Sequence, residues 1–330
     1  MASAGIPEVM NETTFFHCKP DQYGTSTALI FMIIEMIVGL PGNIAAMWIF
    51  YFHMKFWKPH TLYLFNLVLA DFLLLISVPF RIDTHLNGDN WVFGQVWCRI
   101  NLFMLSVNRS ASIAFMTTVA LDRYFKVIHP HHSISRMTLT QAGKIAGLIW
   151  ILVIALRIPL LTINLLHQHD NLALCRSFSS YEVPPLVIKV HYVAYIAEFF
   201  LPWFMLLFCS VRITSYLRQR QMNQQKSMWR AILAIGVISL VFTICFLPAI
   251  VTGLGGIYIK MFYPEDCTSY TRITQLFMVS ISFTYLNSAL DPVIYCFSSS
   301  MYRDALRSSM SHLCFVKKNV RPTSSVANNC

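Results

Sequence analysis

Apolar residues are not scattered along this chain but gathered into seven long runs. These span about 26–52, 61–87, 95–128, 142–166, 187–216, 227–257 and 271–297, parted by shorter polar segments. Each reaches the roughly 20 residues that a helix needs to cross a bilayer. Runs such as Leu62 to Phe80 do not alternate as barrel strands do, so helices are expected. Pro79, Pro159, Pro202, Pro248 and Pro292 fall inside the runs. Within a bundle, neighbouring helices can re-satisfy the backbone groups that proline frees. The pattern predicts an all-α membrane protein: a seven-transmembrane helix bundle over 26–297, preceded by an outer N-terminal segment, 1–25. A cytoplasmic segment, 298–330, follows and contains a short amphipathic eighth helix, Met301–Leu313.

Charge orients the bundle. Only 12% of the residues are charged, yet the net charge is +10. Soluble domains carry about 25% charged residues, so this chain lacks an ordinary soluble surface. The bases fall in alternate connections: 13 Lys and Arg against Asp304 alone on one side, seven against nine acids on the other. The basic side is cytosolic, so an odd number of spans places the N-terminus outside. No apolar stretch precedes residue 26, and the first span is expected to act as its own anchor. The net charge thus reports topology. It does not mark a nucleic-acid binder, which would carry basic patches on a polar surface.

The cysteines agree with this orientation. Cys18, Cys98, Cys175 and Cys267 lie on the outer side, where oxidation is permitted, and four thiols allow three pairings. Cys209, Cys245 and Cys296 lie within spans and are expected to pack as small apolar groups. Cys314, just past the amphipathic stretch, is a candidate for palmitoylation. Asn11-Glu-Thr is an outer glycosylation sequon, whereas Asn108-Arg-Ser lies inside a span and is discounted.

Ionisable residues inside spans are expensive and point to function. Apart from those counted with the two faces and their rims, ten occur here: Glu35, Asp71, Arg109, Asp122, Arg123, Lys144, Arg157, Glu198, Arg212 and Asp291. Arg109 lies eleven residues after Cys98, about three helical turns into the bundle. A guanidinium there can hold a carboxylate through two parallel hydrogen bonds. The competing reading is an internal ion pair, with Glu198 as partner. The third span has no acid at the depth where a cationic amine would need one. Asp71, Ser112, Asn287 and Asp291 could converge as oxygen ligands around a small cation, or form a hydrogen-bond network with water.

Several short motifs recur one per span. They are Gly42-Asn43, Leu67-Val-Leu-Ala-Asp71, Asp122-Arg123-Tyr124, Trp150, Pro202, Cys245-Phe246-Leu-Pro248 and Asn287-Ser-Ala-Leu-Asp291-Pro292-Val-Ile-Tyr295. In this order, over about residues 25–313, the chain resembles a rhodopsin-like (class A) G-protein-coupled receptor. The resemblance implies an activation switch built on Asp122, Arg123, Tyr124, Phe246, Pro248, Asp291, Pro292 and Tyr295. Arg123 would pair with Asp122 at rest and swing toward the G protein when active. It also implies an allosteric sodium ion at Asp71 and Ser112, a Cys98–Cys175 bridge, and arrestin as a possible second partner. The chain departs from the family at Asp291, where Asn is common, and at Phe246, where Trp is usual. Ser210 and Met228 replace a Tyr and an acidic partner for Arg123, so appreciable basal signalling is expected.

Longer stretches narrow the resemblance. Phe52-His-Met-Lys-Phe-Trp-Lys58, Trp91-Val-Phe-Gly94, Asn108-Arg109-Ser110, Glu198-Phe-Phe-Leu-Pro202 and Ser282-Phe-Thr-Tyr285 look like hydroxycarboxylic-acid receptors. They look equally like the oxoeicosanoid and hydroxyeicosanoid receptors. That group implies a plasma-membrane receptor coupled to Gi/o, with an anionic carboxylate ligand and no enzymatic activity or cofactor. By the same resemblance the ligand meets Arg109, Leu105, Ser177, Phe178, Ser179 and Tyr285, and Cys18 bridges Cys267; Arg176 departs from the group, where Ser or Cys is frequent, and could take a second polar group of the ligand or pair with Glu182. Arg81, Arg99 and Arg157 could extend a basic path, or each could equally snorkel or be paired. The wording of the sixth and seventh spans leans to an oxygenated fatty acid over a short hydroxy acid. An organic-anion transporter is the alternative of another class, but the chain shows no internal repeat.

Overall fold

In a lipid solvent every backbone polar group must be paired within the protein, so each apolar run closes its hydrogen bonds as a helix. The computed structural model describes residues 24–53, 57–169, 172–175, 186–219, 226–263, 265–299 and 301–308. Among these, seven helices are long and apolar enough to span a membrane. They are α1 (Thr27–His53), α2 (Pro59–Leu86), α3 (Gly94–Ile128) and α4 (Leu139–Thr162). After a hairpin, β1 (Leu166–His169) and β2 (Leu172–Cys175), come α5 (Leu186–Gln219), α6 (Lys226–Phe262) and α7 (Cys267–Ser298). Residues 301–308 are also helical, the described part of the expected Met301–Leu313 helix.

In the bundle α1 packs against α2 and α7, α2 against α3 and α4, α3 against α4, α5 and α6, α5 against α6, and α6 against α7. One continuous core joins Phe50, Leu67, Phe115, Met116, Phe199, Phe242, Phe246 and Tyr295. Large apolar side chains also point outward from most helices, among them Ile37, Ile76, Ile151, Leu201, Val211 and Leu240. On a soluble protein such a surface would be a liability; here it faces acyl chains.

Polar side chains pin the helices to one another. Asn43 on α1 donates to the Ser288 carbonyl of α7 at 2.9 Å. Trp150 of α4 donates through Nε1 to Asn66 of α2 at 2.8 Å, and Asn108 of α3 donates to the Ala70 carbonyl at 3.0 Å. Asn108 is therefore buried in the bundle, as its rejection as a glycosylation site requires.

Two details were not expected. Two π-helical turns, Glu35–Gly39 and Ile49–His53, interrupt α1. The fourth span ends at Thr162 instead of continuing to 166: Pro159 begins a last separate turn, and the chain then enters β1. Leu165 and Leu166 are apolar because they pack under the hairpin with Leu102, Trp91 and Leu160, not because they cross lipid.

Candidate ligand site and signalling switch

The outer end of the bundle is built around β2. Cys98, at the top of α3, is disulfide-bonded to Cys175, the last residue of β2. Around this tether, the Trp91 backbone donates to the Ala173 carbonyl at 2.8 Å, and Asn90 accepts from the Ala173 amide at 3.0 Å. Arg81 of α2 completes the clamp, donating to Asn101 at 2.8 Å and to the Cys175 carbonyl at 2.9 Å. The hairpin is thus fastened to the outer ends of α2 and α3. Arg176, Ser177, Phe178 and Ser179 themselves lie outside the described residues, as do Cys18, Asn11 and Cys314. Cys267 is disulfide-bonded, with its partner outside the described residues.

Below the hairpin, Arg109 projects from α3. Its guanidinium carbon lies 3.5 Å from the centre of the Tyr195 ring on α5 and 5.9 Å from that of Phe246 on α6. Its Nε and Nη2 atoms are buried without a hydrogen-bond partner. These two N–H groups form one edge of the guanidinium, the edge that grips a carboxylate with two parallel hydrogen bonds. Leu105, one helical turn above, packs with Tyr285, Ala28, Met32, Leu74 and Val78 in an apolar cluster of the outer half.

The competing partner considered for Arg109 is taken. Glu198 of α5 is ion-paired to the fully buried Arg157 of α4, and the two share Ser110 of α3. Arg157 donates to the Ser110 hydroxyl at 2.7 Å, which donates to Glu198 at 3.0 Å. The alternative of Arg109 paired to Glu198 is therefore corrected: it is Arg157, with Ser110, that holds Glu198 Oε2. For Arg81, Arg99 and Arg157 the alternative of individual partners is the one seen. Arg81 is spent on the hairpin, Arg157 on Glu198, and Arg99 reaches the Leu161 carbonyl at 3.5 Å.

Midway down the bundle, Asp71 is fully buried and accepts from the Tyr295 hydroxyl at 3.0 Å. Asn287 donates to Asp291 at 3.4 Å. Asp71 Oδ1, Ser112 Oγ, Asn287 Oδ1 and Asp291 Oδ1 are each buried with no hydrogen-bond partner. An oxygen-only set with orphaned acceptors fits a hard monovalent cation. Among the described residues there is no group of three or more His, Cys, Asp and Glu that could hold a transition metal.

At the cytosolic end, Asp122 pairs with Lys126 one turn along α3, at 2.7 Å. Arg123 donates instead to the Ser298 carbonyl at the end of α7, at 2.6 Å. The expected resting pair of Arg123 with Asp122 is thus replaced by a local pair and a link from α3 to α7. Sequence reasoning missed Lys126 here, although its spacing of four from Asp122 is the ordinary helical pairing distance. Tyr195, three residues before Glu198, was missed for want of the same face argument. Tyr124 is buried on α3. Pro248 and Pro292 lie inside α6 and α7, and Phe246, near Arg109, meets Phe242 edge to face with ring centres 5.2 Å apart.

Comparison with known proteins agrees with this architecture. The pattern described as "7 transmembrane receptor (rhodopsin family)" matches residues 42–295. The chain belongs to the rhodopsin family of seven-transmembrane receptors. It is 42% identical to hydroxycarboxylic acid receptor 2 of Homo sapiens, over 86% of this chain and 77% of the relative. It is 39% identical to oxoeicosanoid receptor 1 of Homo sapiens, over 86% of this chain and 72% of the relative. It is 33% identical to the 12-(S)-hydroxy-5,8,10,14-eicosatetraenoic acid receptor of Mus musculus, over 90% and 93%. This rhodopsin-family receptor is accordingly a multi-pass plasma-membrane protein that works through a G protein and is not an enzyme. Membership sets aside the transporter alternative.

Proposed function

We propose that this receptor responds to an anionic carboxylate, an oxygenated fatty acid of the oxo- or hydroxyeicosanoid kind, and signals through Gi/o. The observation that carries the reading is the open Nε–Nη2 edge of Arg109 in a site where Arg157 already occupies Glu198. A ligand carboxylate supplies the missing acceptors. The apolar cluster around Leu105 and Tyr285 offers its tail a dry surface. Named relatives include receptors for hydroxycarboxylic acids, for oxoeicosanoids and for a hydroxyeicosatetraenoic acid.

The remainder of the site takes its parts in this scheme. Arg176, Ser177, Phe178 and Ser179, which follow Cys175 directly in sequence, are proposed to contact the ligand. Arg109 touches both α5 and α6, so a ligand that draws its guanidinium changes what Phe246 packs against. The ligand must bind the state with α6 swung outward better than the resting one, since equal affinity shifts nothing. Arg123 then leaves the Ser298 carbonyl for the G protein. Sodium at Asp71, Ser112, Asn287 and Asp291 opposes this by holding α2, α3 and α7 together. Arrestin binding to the active cytosolic face, the Cys18–Cys267 bridge, glycosylation at Asn11 and palmitoylation at Cys314 complete the proposal.

The test is nucleotide exchange on Gi in receptor-bearing membranes, with receptor-free membranes as control. The probes are 12-(S)-hydroxy-5,8,10,14-eicosatetraenoic acid and lactate. Exchange driven by the eicosanoid at lower concentration than lactate is expected. A response to lactate alone would assign the short hydroxy acids instead, and silence toward both would overturn the carboxylate reading.

A further inference from the structure

Two arginines and one glutamate share the centre of the ligand site. Arg157 comes from α4, Glu198 from α5 and Arg109 from α3. Arg157 is fully buried, and its pairing with Glu198 is closed through Ser110, the residue next to Arg109. Tyr195, which lies against the Arg109 guanidinium, is three residues from Glu198 and so on the same face of α5. Glu198 therefore stands within one helical turn of the ring that Arg109 covers. Its side chain is 19% exposed, against 1% for Arg157, so Glu198 is the member with room to turn.

We infer that Arg157 is a positioning residue for ligand recognition: it sequesters Glu198, and so keeps the Arg109 fork open for a carboxylate. One carboxylate between two guanidinium groups leaves one positive charge over, and the burial of Arg157 fixes that charge on Arg109. Without Arg157, Glu198 is an uncompensated anion in a low-dielectric site, and Arg109 is the cation beside it. Glu198 then becomes an internal competitor for the ligand. This inference rests on the proposed role of Arg109 and adds to it a residue that need never touch the ligand.

Four receptors test it: Arg157→Gln, Glu198→Gln, the double variant and Arg109→Ala, matched for surface level by antibody. The readouts are Gi exchange driven by 12-(S)-hydroxy-5,8,10,14-eicosatetraenoic acid or lactate, and exchange without agonist. Arg157→Gln is expected to lose about tenfold or more in potency, the loss of a charge-assisted contact. Agonist-free exchange per surface receptor is read alongside, because a general folding defect lowers both readouts whereas competition by Glu198 lowers agonist potency and is reversed by Glu198→Gln. Glu198→Gln on that background should restore potency to within about threefold, because the competitor is gone. Should Arg157→Gln fail to reach the surface, Arg157→Lys keeps the charge but not the planar fork. It is expected to lose potency and to regain it on adding Glu198→Gln. Wild-type potency in Arg157→Gln, or no recovery in the double variant, overturns the inference. Loss in Arg109→Ala with neither effect at Arg157 would sink this inference alone. Full potency in Arg109→Ala would sink the anchor itself.

Discussion

The guanidinium of Arg109 lies 3.5 Å from the centre of the Tyr195 ring. A cation over an aromatic face in a desolvated site gains about 2 kcal/mol. Tyr195 therefore holds the Arg109 fork at one height without using its hydrogen-bond edge. Tyr195→Leu should lower the potency of a carboxylate agonist about tenfold or more, whereas Tyr195→Phe, which keeps the ring, should retain most of it. Equal losses in the two variants would show that the hydroxyl and not the ring matters.

Tyr295 ties α7 to α2 through its hydroxyl on Asp71. Tyr295→Phe leaves a buried carboxylate oxygen without its donor, at a cost of about 1–3 kcal/mol. Thermal inactivation of the detergent-solubilised receptor should come at a lower temperature. Replacing sodium by a bulky organic cation should lower it further in the wild type, and much less in Asp71→Ala. An equal response of the two to sodium removal would place the ion elsewhere.

The cytosolic switch makes a separate prediction. Lys126 holds Asp122, and Arg123 rests on α7 with no resting pair to Asp122. Exchange on Gi without agonist should exceed that in receptor-free membranes. Lys126→Ala frees Asp122 to take Arg123 and should reduce this basal rate. A basal rate no higher than the control, or one raised by Lys126→Ala, contradicts the arrangement.

Asp266 caps the start of α7, accepting from the Ser269 amide at 3.0 Å. Hydrogen bonding from the Ser269 side chain, and then from this amide, holds its carboxyl below the usual 3.8. Because the folded value is lowered, the cap is fully present above the ordinary carboxylate range and is lost only as the pH falls through the lowered value. Amide exchange at Ser269, corrected for intrinsic rates, should stay flat from neutral pH to the mid-fours and rise below that range. Asp266→Ala should raise it at neutral pH, and Asp266→Asn, which keeps an acceptor, should do so less.

Depth along a helix is legible in a sequence; rotation about its axis against a neighbour is much less so. Arg109 could be placed about three turns into the bundle from its distance to Cys98. The partner of Glu198 could not, because Arg109 and Arg157 both reach that layer from different helices. Only the packed bundle shows Arg157 nearer. Asp71, Ser112, Asn287 and Asp291 were readable as an oxygen set, while the Tyr295 hydroxyl on Asp71 required the crossing of α2 and α7. The hairpin of Leu166–His169 and Leu172–Cys175 went unread for another reason. Its apolar residues extend the run of α4, and strands of four residues carry too little alternation to announce themselves. The π-helical turn at Glu35 has no marker in the residue pattern at all.

The account turns on Arg109, and the most direct measurement is the potency of a carboxylate agonist at Arg109→Ala with surface expression measured on the same cells. The predicted result is a normal surface level with the response to 12-(S)-hydroxy-5,8,10,14-eicosatetraenoic acid lost or shifted at least a hundredfold, about the energy of one desolvated charge pair. A variant at normal surface level with unchanged potency would contradict it.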